Sequence, residues 1–130
     1  MSRRRLIAGV SASIIALSAA CCVAAGFLVR GHVLGRLYND TVLDNYDHFL
    51  PCEKLPTSAE VNRIVEEHED VLKTIKDVNP GHIFVEIDYW TCPGRADIII
   101  SYATHQDRLA IEEIIGDDTF FGVPYRLRNI

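Results

Sequence analysis

HIFVEIDYW (residues 82–90), TCPG (91–94) and RADIIISYA (95–103) follow one another without interruption, and the fold turns on how they are read. Ile83, Val85, Ile87 and Tyr89 alternate with Phe84, Glu86, Asp88 and Trp90, the period of a strand with one buried face. Thr91-Cys92-Pro93-Gly94 has the composition of a turn. Ala96 to Ala103 is a second, isoleucine-rich strand, so the pair predicts a hairpin.

A helix is predicted on each side of that hairpin. Thr57 with Glu60 three residues on forms a capping box, and Val61, Ile64, Val65, His68, Leu72 and Ile75 form one apolar stripe. Asn79-Pro80-Gly81 ends this helix. Beyond the hairpin, Thr104 and Asp107 make a second box, and Gly116 closes the helix after Ile114 and Ile115. Phe120 to Leu127 reads as a third strand, with Pro124 marking an edge or a bulge. A crossover after the hairpin is expected to lay this strand beside the first, antiparallel to it, with both helices on one face. The expected class is α+β, a small ferredoxin-like αββαβ two-layer sandwich lacking its first strand unless residues 38–50 supply it. Such a sheet keeps one face open.

Upstream the chain changes character. The 130 residues hold 13 basic and 18 acidic side chains, a net charge of −5, and 48% are hydrophobic. Disorder is disfavoured by that hydrophobicity, and a polybasic nucleic-acid binder by that sign, so no nucleic-acid partner is expected. Residues 1–30 carry Arg3, Arg4, Arg5 and Arg30 and no acid, a balance of +4. The remainder sets nine basic against eighteen acidic residues, a balance of −9. Residues 6–29 contain no charge, amide, histidine or proline. As a helix this run is about 36 Å long, enough for a hydrocarbon core of roughly 30 Å.

The expectation is therefore an N-terminal transmembrane helix acting as a signal anchor, with the body outside the cytoplasm by the positive-inside bias. Cleavage near Val23-Ala24-Ala25, which would release a secreted form, is the alternative. Ser2-Arg3-Arg4-Arg5-Leu6-Ile7 approximates a twin-arginine signal, and Ser18-Ala19-Ala20-Cys21 a lipoprotein box; both depart from the pattern. Ala8, Ala12, Ala16, Ala20 and Ala24 form a small-residue stripe on which a homodimer could pack. The chain divides into residues 1–30 as anchor, 31–55 as stalk or linker, and 56–130 as the globular domain. In the stalk, Asn39-Asp40-Thr41 matches a glycosylation acceptor pattern.

Cys52 and Cys92 are the only cysteines outside the leader. In an oxidising compartment they read as one disulfide, against free thiols or a metal site for which His32, His48, His68, His82 and His105 offer no ordered spacing. No metal and no cofactor is expected. Ser58, Ser101 and the two cysteines lie in no nucleophile signature, and there is no phosphate loop. Glu86 and Asp88 share a strand face as an acid/base pair would, which ordinary solvated alternation explains as well. Asp117-Asp118 has too few oxygen ligands around it for calcium. No catalytic residue is assigned.

The stronger clue is the open face. Phe84, Glu86, Asp88 and Trp90 would share it with Ile99, Ser101, Phe120, Arg126 and Arg128, the arginines pairing with Glu86 and Asp88. Aromatics beside a charged centre fit a protein-binding surface, unless the stalk or a second copy covers Phe84 and Trp90.

His68-Glu69-Asp70-Val71-Leu72, Ala96-Asp97-Ile98-Ile99-Ile100 and Gly122-Val123-Pro124-Tyr125-Arg126 together resemble small α/β modules of bacterial extracellular proteins. Some of these precede trypsin-like peptidase domains, and a Gly-Val-Pro-Val signature enters their last strand. The resemblance covers residues 68–128, lacks the Gly-rich first strand of those modules, and implies the fold and an exterior location but no catalytic residue. The expected function is a membrane-tethered extracytoplasmic binding or accessory domain. A secreted peptidase inhibitor or propeptide-like module is the alternative.

Overall fold

The structure, a computed structural model, describes residues 33–130. The expected membrane helix over residues 6–29, with its alanine stripe, lies outside the described residues. Among those described, no helix is long and apolar enough to cross a membrane. The chain divides into two compact units, residues 1–38 and 39–130. The first is seen only in the opening turns of α1 (Val33–Thr41), where Val33, Leu34, Leu37 and Tyr38 are exposed.

The second unit carries α2 (Ser58–Glu67), α3 (Glu69–Asp77), β1 (Phe84–Asp88), β2 (Asp97–Tyr102), α4 (His105–Ile115), β3 (Thr119–Phe120) and β4 (Val123–Asn129). This is an α+β chain with four helices and one four-stranded mixed sheet among the described residues. Both capping boxes form: the Thr57 hydroxyl accepts from the Glu60 amide, and the Thr104 hydroxyl from the Asp107 amide. Gly116 ends α4 in the left-handed region, at φ 67°.

Three expectations are corrected. The helix predicted from Thr57 to Ile75 is two helices, broken at His68 (φ −121°, ψ 31°). There the imidazole lies flat on Phe121, with ring centroids 3.4 Å apart and planes 4° from parallel. The third strand is likewise two. Phe121 (φ 49°) and Gly122 (φ 90°) form a two-residue reversal between β3 and β4, the backbone of a primed hairpin turn.

The strand order is the largest change. The last strand lies beside β2 and parallel to it, not beside β1, giving β1-β2-β4-β3 in place of the ferredoxin-like order. The reason lies in the side chains. Ile98, Ile100 and Tyr102 on β2 are wholly buried, as suits a strand flanked on both sides, whereas β1 carries Glu86 and Asp88 and tolerates an edge. Pro124 fits because the ladder with β2 begins one residue later, at Tyr125, so its missing N–H breaks no bond there.

Val61, Leu72, Ile75 and Ile111 from the helices pack on Ile98, Ile100, Tyr102, Val123, Tyr125 and Leu127 from one face of the sheet. The helices therefore cover that face and leave the opposite one to the rest of the chain.

Candidate functional site

Register builds the uncovered face. Phe84 pairs with Ser101, Glu86 with Ile99, and Asp88 with Asp97. Ile99 pairs in turn with Arg126 and Ser101 with Arg128. Because directly opposed residues share a face, all of these side chains point away from the helices.

Arg126 is the centre of this face. Its Nε and Nη2 donate to the two oxygens of Asp97 at 2.6 and 2.8 Å, and Nη2 reaches over β2 to Asp88 Oδ2 at 2.6 Å. Arg126 thus meets Asp88 as expected, although β2 lies between their strands. Arg128 does not join them; it pairs with Asp47 at 3.0 Å. Glu86 is exposed and forms no ion pair among the described residues. Trp90 lies past the end of β1 and is 89% exposed. Phe84 is half exposed, so no described part of the chain covers either aromatic. Phe120, expected on this face, is buried in the core on the helix side, because it pairs with Val123 rather than with Pro124.

The electrostatics are those of a closed charge network. Burial alone would raise the Asp88 carboxyl, but hydrogen bonds from the Thr91 hydroxyl and amide, then from Arg126 and the Trp90 amide, hold it well below the usual carboxylate range. Asp97 is lowered in the same way, with burial outweighed by bonds from His48 and Arg126. Those bonds raise Arg126 despite its burial. His48 completes the set. The Leu50 amide donates to His48 Nδ1 at 2.9 Å, so that nitrogen is an acceptor and the ring proton sits on Nε2, 2.8 Å from Asp97 Oδ2.

His48 and Asp47 belong to residues 40–55, the later part of the stalk or linker expected over 31–55, and these are bonded to the body along their length. Arg108 on α4 holds Asp40, Asp44 and Glu112, and these carboxylates raise it further although burial opposes them. The Tyr102 hydroxyl donates to the Asp44 carbonyl, and the Asn129 amide to Asn45 Oδ1 at 2.8 Å. Tyr46 and Leu127 exchange backbone hydrogen bonds of 3.0 and 2.9 Å. This strap then crosses the sheet face to the β1–β2 turn, where Cys52 and Cys92 are joined in a disulfide (Cα–Cα 5.4 Å). The expected disulfide is therefore present.

Under the strap lies a cavity of about 180 Å³ lined by Asp88, Asp97, Arg126, His48, Thr91 and Cys92 among others. Glu86 is not in its wall, so the acid/base pairing of Glu86 with Asp88 is not assembled there. Among the described residues, no group of three or more His, Cys, Asp or Glu side chains is placed to hold a metal ion.

Sequence reasoning missed Asp97, His48 and Asp47. Asp97 had a signal: it heads an otherwise apolar strand, and counting the hairpin outward from its turn sets it against Asp88, a pair that demands a cation. His48 and Asp47 had none, because their partners lie 49 and 81 residues away. No protein-family model, curated protein or solved structure matches this chain.

Proposed function

We propose that the protein is a membrane-tethered, extracytoplasmic accessory domain that binds a partner protein along the β1 side of the open sheet face, which bears Phe84, Glu86 and Trp90. One observation carries this reading. Trp90 stands 89% exposed on a turn that is held on both sides. Before it, the Asp88 carboxylate accepts the Trp90 and Thr91 amides at 2.9 and 3.0 Å. After it, Cys92 is bonded to Cys52. A turn whose backbone is already held loses little further freedom when the exposed aromatic it carries is bound, which favours Trp90 as an anchor residue.

The tether rests on the apolar run 6–29 between arginines, and the exterior location on the disulfide, which needs an oxidising compartment. The likeness of residues 68–128 to modules of bacterial extracellular proteins points the same way. The small residues Val23-Ala24-Ala25 favour a second reading, a secreted inhibitor or propeptide-like module. The mass of the mature chain separates the two, since an N-terminus near Gly26 belongs to the secreted form alone.

A photo-cross-linker at position 90 in the native membrane is expected to capture one protein, and capture to be lost when Phe84 is also changed to Ala. The double variant Phe84→Ala/Trp90→Ala should melt within about 1 kcal/mol of the parent, as exposed substitutions do. Unfolding of that variant, or cross-links spread over unrelated proteins, would sink the proposal.

A further inference from the structure

The two edges of the sheet are treated differently. The outer edge of β4 is occupied at its start by β3, through Thr119–Pro124 and Phe120–Val123, and near its end by the Tyr46–Leu127 bridge. The outer edge of β1 is not. Among the described residues, Phe84–Asp88 make no backbone hydrogen bond outside the ladder to β2. No lysine, proline or bulge blocks this strand, and the charges it carries are the acids Glu86 and Asp88, which repel a second acidic edge but not a basic one.

The side chains along the edge define what it fits. Phe84 is half exposed, and Val85 and Ile87 stay only half-buried although they face the helices, so apolar surface is available on both faces of the strand. Between them Glu86 is exposed and without an ion pair among the described residues. Pairing with a second copy of β1 about its midpoint would set Glu86 against Glu86, a like-charge cross-strand pair that opposes association. A basic residue at that place would instead complete the pair.

We infer that the β1 edge accepts an extended segment of a partner protein as a fifth strand, with a Lys or Arg opposite Glu86 and an apolar side chain opposite Phe84. This rests on the binding role proposed above and names the form and charge of the partner segment. The segment would run alongside Phe84–Asp88 and end beside Trp90.

Trp90 is the only tryptophan in the chain, so its fluorescence reports on this end of the strand directly. The full-length chain in detergent micelles would be titrated with the peptide Thr-Val-Lys-Val-Phe, blocked at both ends, and with the same peptide carrying Glu for Lys. The lysine peptide is expected to give a saturable blue shift of Trp90 emission and to slow amide exchange within 84–88 only. The glutamate peptide should bind roughly tenfold more weakly, the size expected when an attractive cross-strand charge pair becomes repulsive. Glu86→Lys should invert that order. Equal affinity for the two peptides, protection elsewhere than 84–88, or an unchanged order in Glu86→Lys would overturn the proposal. A partner cross-linked from position 90 while the lysine peptide leaves 84–88 unprotected sinks the edge and spares the binding role. Peptide pairing with no cross-linked partner supports the edge and removes that role.

Discussion

At the scale of single residues, the guanidinium of Arg126 is the group on which most depends. Among the described residues it is the only cation bonded to both Asp88 and Asp97, whose side chains are 8% and 4% exposed. Arg126→Met keeps the bulk and leaves two buried carboxylates facing each other, so it should cost roughly 3–5 kcal/mol in urea unfolding. Adding Asp97→Asn should recover part of that, because one of the two charges is then gone. Phe121 offers a contrast in which two effects nearly cancel. Its left-handed backbone (φ 49°) costs about 1–2 kcal/mol, while its stacking on His68 returns about 0.5–1.5 kcal/mol. Phe121→Gly loses both and is expected to be near neutral, whereas His68→Ala loses only the stack and should lower the urea midpoint. An Arg126→Met variant as stable as the parent would remove the network from any account of this fold.

At the scale of elements, the strap is held at one end by Arg108 and at the other by the disulfide. Cys92→Ser opens a loop of sequence separation 40 and should cost about 4 kcal/mol in the chain-entropy view, measurable as a lowered melting temperature without reductant. Reductant should bring the parent to the same temperature and leave the variant unmoved. The legible and the illegible parts of the fold divide along the same line. Thr57 with Glu60, Thr104 with Asp107, Gly116 and the alternation from Ile83 to Tyr89 act over three or four residues, and each lies where its pattern predicts. The face shared by Phe84, Glu86, Asp88 and Arg126 was legible too, since side-chain parity survives a change of strand order. The position of β4 was not. It depends on β2 winning the centre of the sheet by burial, a competition between strands that no local pattern records. The break at His68 was hidden for a related reason, as Phe121 stacks on it from 53 residues further along the chain.

At the scale of the molecule, charge sets a window of pH. Asp44, Asp88 and Asp97 are all held below the ordinary 3.8, so the stability they contribute is complete above about pH 4 and is lost as pH falls through their lowered values. Tyr102 and Tyr125 are both pushed up to about 12, mainly by burial, with the charge of Asp44 acting on the first and Tyr46 on the second. Their contribution is complete below 10 and disappears as pH rises from 10 towards 12. Thermal melts should therefore give a plateau between these limits, with ionisation of Tyr102 and Tyr125 and loss of structure coinciding on the alkaline side. Phenolate absorbance from all five tyrosines appearing near pH 10 in a chain that is still folded would contradict the burial of these two rings. The strap also has a consequence for the order of assembly. Asp47 and Asn45, among the first residues of the domain to be made, find their partners in Arg128 and Asn129, 81 and 84 positions later. A growing chain can close its hairpin and helices early, but the clasp waits for the final strand. Closing so long a loop is slow and comes late. A chain stalled just short of β4 thus keeps Arg108 and both cysteines to hold the two ends of the strap, but lacks the partners of Asn45 and Asp47 between them.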